Sequence, residues 1–368
     1  MPPNFKSLMR DATRLVRGGD LMASTAAIQA ALRGSTPERP AAGAPTASGD
    51  IVIDVAAREI PSAPTEGEAA ARHDVTEHPA VAASPHGAFV AGRCGDGRTQ
   101  RDYKLYVPPQ AGKRPLPLVV MLHGCTQDPD DFAAGTRMND AARAEGCFVL
   151  YPAQSQQANP QRCWNWFKHS HQQRGRGEPA LLAAMTRQIM ERHDIDPTRV
   201  YVAGLSAGGA MAAILGETYP DLYAAIGVHS GLASGAAKDL PSALAAMRSG
   251  ADAAASAVPG VPAIVFHGDA DATVHPDNGH HVIRASAGRI DGDPQAHREQ
   301  ADGGRNYTRR VHRSREGEVL AEHWVVHGSG HAWSGGSRQG SYTDPAGPDA
   351  TQQMLRFFRE HPRRGGKT

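Results

Sequence analysis

Gly204-Leu205-Ser206-Ala207-Gly208 follows the apolar run Val200-Tyr201-Val202-Ala203 and opens Gly209-Ala210-Met211-Ala212. A serine between two glycines at a strand-to-helix junction is the pattern of a nucleophile elbow. The glycines permit a cramped turn, and the helix N-terminus offers amide donors and a favourable dipole. A Gly-rich turn holding a solvated serine spells the same five letters. The flanking strand and helix favour Ser206 as a nucleophile.

Such a serine needs donors for the oxyanion it creates, a base, and an acid to orient that base. Pro117-Leu118-Val119-Val120-Met121-Leu122 runs into His123-Gly124-Cys125, so the amides of Cys125 and Ala207 are the expected donor pair. Loss of one such donor costs about 2.7–4 kcal/mol of transition-state stabilisation. His323-Trp324-Val325-Val326 leads into His327-Gly328-Ser329-Gly330-His331-Ala332-Trp333, and His331 in this Gly-rich loop is the expected base. Ala263-Ile264-Val265-Phe266 leads into His267-Gly268-Asp269-Ala270-Asp271-Ala272-Thr273-Val274. Asp271 is the preferred acid, with Asp269 the runner-up and Asp277 on the same loop. The chain order Ser, Asp, His is that of α/β-hydrolases.

The same loop supports a reading of another class. Asp269 through Thr273 spells D-x-D-x-T, the pattern of magnesium-dependent aspartyl phosphatases. Those enzymes want the first Asp at the strand end near the start of the domain, whereas His267-Gly268 intervene here and the motif lies late. His275, His280 and His281 lie nearby, but no H-E-x-x-H pattern exists. No cofactor or metal is expected.

These loops require a scaffold of strands with carboxyl ends on one side. Strand patterns fall at residues 102–107, 117–122, 148–151, 199–203, 225–229, 263–267 and 323–326. Helical patterns fall at 130–145, 178–192, 208–219, 240–256 and 350–360. Continuous apolar runs such as Leu118-Val119-Val120-Met121-Leu122 suit a parallel sheet covered on both faces. The alternation predicts a doubly wound, mostly parallel α/β domain of the α/β-hydrolase kind over residues 86–362.

Ahead of it, Phe5, Leu8, Met9, Ala12, Leu15 and Val16 recur at helical spacing. Gly18-Gly19 then breaks the pattern before a second helical stretch with Leu21, Ile28 and Leu32, giving a hairpin over residues 1–33. Ser24, Thr25 and Gln29 interrupt its apolar stretch, which argues against a secretion leader. Residues 34–85, rich in Ala, Pro, Thr and Ser, read as a flexible linker, and residues 363–368 as a frayed basic tail. Lys and Arg number 39 against 38 Asp and Glu, so no bulk charge points to nucleic acid. No run of 18 apolar residues exists to span a bilayer. The basic hairpin could adsorb to a polymer or lipid surface; oligomeric state is not legible.

Five motifs in order resemble the polyhydroxybutyrate depolymerase-type esterase family, related to feruloyl and acetylxylan esterases. They are His123-Gly124-Cys125-Thr126-Gln127, Cys163-Trp164-Asn165-Trp166-Phe167, Gly204 through Met211, His267-Gly268 through Val274, and Gly330-His331-Ala332-Trp333-Ser334-Gly335-Gly336. The resemblance covers about residues 86–362. It implies a serine esterase in which Ser206 matches the nucleophile, Asp271 the acid, His331 the base and Cys125 the oxyanion loop. Export to the periplasm or medium is implied by resemblance, whereas the lack of a clear leader implies the cytoplasm. Secreted polymer-degrading members append a polymer-binding module. This sequence ends soon after its last helix, which favours short hydroxyalkanoate oligomers or short acyl esters over crystalline polymer. A feruloyl or acetylated-sugar ester is the rival substrate, and a non-catalytic binding protein on a hydrolase fold is the rival class.

Cys125 and Cys163 each belong to a motif beside the expected pocket, so a bridge between them and a pair of buried thiols are both open. Three of the four tryptophans fall within these motifs. Trp164, Trp166 and Trp333 are expected to line the cleft with His123, with a core position as the alternative for Trp166. Residues 231–260, Ala-rich, are the expected cover over the cleft.

Overall fold

Alternate residues of the strand Leu116–Leu122 (β3) face opposite layers of the molecule. Leu118, Val120 and Leu122 pack with Leu182, Met185 and Ile189 of the helix Gly177–Arg192 (α3) and Met211, Ile214 and Leu215 of the helix Ala207–Thr218 (α4). Val119 and Met121 pack instead with Phe132 of Pro129–Thr136 (α1), Met138 of Met138–Glu145 (α2) and Met354, Phe357 and Phe358 of Ala350–Glu360 (α7). Two apolar cores therefore sandwich one sheet. A strand apolar at every position is the solution that such an arrangement demands.

The computed structural model describes residues 84–95, 100–250, 260–288 and 294–363. The N-terminal hairpin, nearly all of the linker and the end of the basic tail lie outside them. Among the described residues ten strands form the main sheet in the order β1-β2-β4-β3-β5-β6-β7-β10-β9-β8. They are Ala88–Cys94 (β1), Arg101–Val107 (β2), β3, Phe148–Pro152 (β4), Ile195–Leu205 (β5), Ala225–His229 (β6), Ala263–Gly268 (β7), Gln295–Gln300 (β8), Asn306–Arg313 (β9) and Val319–Val326 (β10). The pairings from β4 through β3, β5, β6 and β7 to β10 are all parallel. Antiparallel strands flank this block on both sides. It is the mostly parallel, doubly wound sheet read from the apolar runs. Among the described residues no helix is long and apolar enough to cross a membrane.

Some elements differ from the sequence pattern. The helical stretch 130–145 is two helices, because Arg137 takes a left-handed conformation at φ 53° between α1 and α2. Phe132 and Ala133, then Met138 and Ala142, face one core, so the apolar period does not reveal the break. The 240–256 pattern is a shorter helix, Leu240–Ser249 (α5), and residues 251–259 are not described. α5 is tied to a helix absent from the pattern, Asp277–Ala287 (α6), by Asn278 Nδ2 donating to the Ala246 carbonyl. β8 is mostly exposed and polar, which gives an edge strand no apolar alternation to read.

Candidate active site

Ser206 sits where β5 ends and α4 begins, with φ 57° and ψ −119°. A non-glycine residue in such a conformation costs about 1–3 kcal/mol and persists only where its surroundings impose it. Here the surroundings are tight. A Cβ on Gly204 would stand 2.4 Å from the Gly208 carbonyl carbon, and one on Gly208 would stand 2.0 Å from the Leu122 oxygen. Ser206 occupies the N-cap position, yet its hydroxyl makes no capping bond. The oxygen is left for other chemistry.

The two expected oxyanion donors are aimed by their own peptide carbonyls. In a trans peptide the C=O and the N–H point in opposite directions. The Ser206 carbonyl accepts from Ala210 N at 2.9 Å inside the helix, so the Ala207 N–H points out of the helix N-terminus. The Gly124 carbonyl lies 2.8 Å from His123 Nδ1, so the Cys125 N–H points the other way. Gly124 stands beside the elbow: a Cβ on it would lie 3.7 Å from Ser206 Cβ.

His123 is therefore not a cleft-lining residue, contrary to the sequence reading. It is buried, and its Nε2 accepts from Gln154 N at 3.1 Å while Nδ1–H donates to Gly124 O. Burial chiefly pushes its pKa down to about 4, which keeps this neutral tautomer at ordinary pH. Trp164 and Trp333 are likewise buried rather than exposed walls, and Trp166 is a core residue. The reason is polar as well as apolar: Trp164 Nε1 donates to the His123 carbonyl at 3.1 Å, and Trp333 Nε1 to Thr351 Oγ1 at 3.0 Å. These bonds fix Trp164 to the end of β3 and Trp333 to α7. Cys125 and Cys163 are joined by a disulfide, which ties the loop after β3 to the Trp164 loop.

Beyond β7, Asp271 is buried and its Oδ2 stands 2.7 Å from His331 Nδ1. Its Oδ1 accepts from Thr273 N at 2.8 Å and Val274 N at 2.9 Å. His267 Nε2 lies 3.5 Å from Oδ2 and donates to the Val274 carbonyl at 2.9 Å. Burial works to raise the Asp271 pKa, but His267, His331 and the Val274 amide outweigh it and hold the carboxyl far below the usual carboxylate range. Asp269 turns elsewhere: His327 Nδ1 is 2.8 Å from its Oδ2, and Gly328 N donates to its Oδ1 at 2.7 Å. Asp277 pairs with His275 at 3.5 Å. Asp269 and Asp271 thus bond different residues of the 327–331 loop.

The residue that sequence reasoning missed is His229, read only as the end of a strand. Its carbonyl accepts from Ser206 N at 2.9 Å, and its Nε2 accepts from Ser334 N at 2.9 Å. Its ring stacks on Trp333 with centroids 5.2 Å apart. One buried histidine thus links the serine elbow, through its carbonyl, to the loop carrying His331, through its imidazole. Burial first, and the nearby His267 and His331 charges next, push its pKa down to about 3. Glu178 was also missed. Buried, it accepts from Asn165 N at 2.7 Å, Asn165 Nδ2 at 2.6 Å and Gln154 Nε2 at 2.6 Å, fixing the loop behind the disulfide. Neither residue belongs to a spacing pattern; a polar residue at a buried strand end or helix start is the only sequence signal.

A parallel-centred sheet with a strained serine elbow, and an Asp–His pair on two later loops, defines the α/β-hydrolase class. A family model described as Esterase PHB depolymerase matches residues 101–303, and the chain belongs to that family. Poly(3-hydroxyalkanoate) depolymerase C of Paucimonas lemoignei is 31% identical over 230 residues, covering 58% of this chain and 54% of that protein. Feruloyl esterase B of Thermothelomyces thermophilus is 33% identical over 150 residues, covering 40% of this chain and 50% of that one. The chain spans about half the length of the curated relatives it matches. In fold it is similar to the acetyl xylan esterase from Aspergillus awamori, with a TM-score of 0.58 at 20% identity over 74% of this chain and 99% of that one.

Proposed function

We propose that the protein hydrolyses carboxylic esters through an acyl-enzyme on Ser206. The observation that carries this reading is the buried Asp271 carboxylate 2.7 Å from His331, whose loop His229 ties to the Ser206 elbow. With Nδ1–H held by Asp271, His331 presents Nε2 as a base. His331 takes the Ser206 proton as Oγ attacks the ester carbonyl, and the oxyanion is met by the Cys125 and Ala207 amides. The proton passes to the departing alcohol, and water then releases the acid by the reverse sequence.

Short hydroxyalkanoate oligomers or short acyl esters are the proposed substrates, supported by the relative named as a poly(3-hydroxyalkanoate) depolymerase. A feruloyl ester is the second reading, supported by the comparably similar feruloyl esterase. Fluorophosphonate treatment followed by mass spectrometry tests the mechanism: the adduct is expected on Ser206. Label on another residue, or none on folded protein, ends the triad reading and leaves the binding-protein alternative. Faster turnover of methyl ferulate than of 3-hydroxybutyrate oligomers transfers the substrate assignment.

A further inference from the structure

Tyr342 is 46% exposed, one of two large hydrophobic side chains so exposed among the described residues. Its backbone is left-handed at φ 51°, a conformation that a bulky residue adopts only under constraint. The constraint is visible on both sides. Its carbonyl accepts from Trp333 N at 2.7 Å, and Thr343 pairs with Trp333 in the short parallel ladder of Trp333–Ser334 (β11) and Thr343–Asp344 (β12). The preceding Ser341 is held by Asp131, which accepts from its backbone N at 2.8 Å and its hydroxyl at 2.6 Å, and by Gln127 Nε2 at 3.2 Å. Gln127 also accepts from Gly124 N at 2.9 Å, so the same side chain holds the oxyanion loop.

The ring is placed by these bonds against both halves of the site. Its hydroxyl lies 3.2 Å from Thr126 Oγ1, next to the Cys125 amide. Thr126 donates its own proton to the Cys125 carbonyl at 2.6 Å, so Tyr342 is the donor to Thr126. The phenol is thereby committed. On the other side the ring meets His331 edge to face, with centroids 6.5 Å apart. An aromatic ring held rigid, with its polar end occupied and its surface open to solvent beside the site, is suited to an apolar ligand group.

The side of the cleft follows from the chemistry. The histidine that took the serine proton must return it to the leaving oxygen, so the alcohol portion of an ester lies on the His331 side. We propose that Tyr342 is the wall of the cleft on this leaving-group side and selects esters of apolar or aromatic alcohols. The assignment rests on the ester-hydrolase reading given above.

The test uses the full chain and compares benzyl with methyl butyrate for the alcohol side, and methyl butyrate with methyl acetate for the acyl side. Tyr342→Ala is expected to lower the benzyl-to-methyl ratio of kcat/KM about tenfold, through KM, the scale of lost contact in an apolar pocket. The acyl ratio is expected to stay roughly unchanged. Tyr342→Phe keeps the ring and should keep the alcohol preference. Tyr342→Asn, which tolerates positive φ, repeats the loss should the alanine variant fold poorly. An unchanged benzyl-to-methyl ratio in both ring-lacking variants, or a fall in the acyl ratio instead, overturns the assignment. Wild-type protein that neither hydrolyses these esters nor takes fluorophosphonate at Ser206 overturns the hydrolase reading itself; wild-type turnover with unmoved ratios overturns Tyr342 alone.

Discussion

The carboxylate of Asp271 and the imidazole of His331 meet at 2.7 Å although 60 residues separate them in the chain. The parallel pairing of β7 with β10, which brings His267 opposite Val325, delivers both loops to one edge of the sheet. Asp269, two residues earlier, meets His327 instead. Two Asp–His pairs thus lie on neighbouring turns, and only one includes the buried aspartate.

That difference sets the first prediction. Asp271→Asn should lower kcat on a soluble ester by about 10⁴-fold, the scale seen when a triad acid becomes an amide. Asp269→Asn, which removes one partner of a half-exposed pair, should leave kcat nearly unchanged. Equal losses in the two variants would remove Asp271 from its special role.

Acid stability is expected to track the buried histidines. His123 and His229 stay neutral in the folded protein down to about pH 4 and 3, whereas an unfolded histidine protonates near pH 6.5. Between those limits the unfolded chain binds more protons, so stability rises with pH and falls on acidification. Each group contributes a slope of about 1.4 kcal/mol per pH unit in that window. Asp271 adds to the loss only lower, as pH falls below its unfolded value of about 3.9. Urea midpoints measured at pH 7, 6, 5 and 4.5 should decline steadily; a flat series would contradict the neutral buried imidazoles.

Thiol titration of the denatured, unreduced protein should find Cys94 and Cys147 alone, since Cys125 and Cys163 are bonded. Cys163→Ser opens a loop with a sequence separation of 38 and should cost about 3–4 kcal/mol of stability, read from urea midpoints. It should also lower kcat more than it raises KM, because the released segment carries the Cys125 amide proposed to meet the oxyanion. Four free thiols would reject the bridge.

Gly208→Ala places a methyl group 2.0 Å from the Leu122 carbonyl oxygen, where backbone faces backbone and no side chain can swing aside. A stability loss of about 3 kcal/mol and loss of turnover are expected. Calorimetry and ester hydrolysis read the two effects separately, and full activity at wild-type stability would show that the elbow is looser than described.

Ser206 and the central strands were legible in the sequence because their signals are local. A strand, two glycines around a serine and a helix are contiguous, and a continuous apolar run implies two covered faces wherever it lies. Asp271 was only preferred over Asp269 and Asp277 there, since one loop offers three identical carboxylates and only the folded turn brings one of them to His331. The tryptophans show the opposite failure. Their place in the motifs suggested an exposed wall, but each indole reports an environment and not a position in a pattern. Trp164 and Trp333 instead are buried and donate to a backbone and a threonine acceptor.

The amino-acid order alone determined the class of sheet, the strand–serine–helix elbow and the succession of Ser, Asp and His loops, because each is written in neighbouring residues. Tertiary structure alone decided that Asp271 faces His331, that His229 joins two loops, that His123 holds the Gly124 carbonyl and that Tyr342 packs against His331. Those relationships are contacts between segments far apart in the chain. They depend on strand register and on the direction of single peptide planes, which no local spacing encodes.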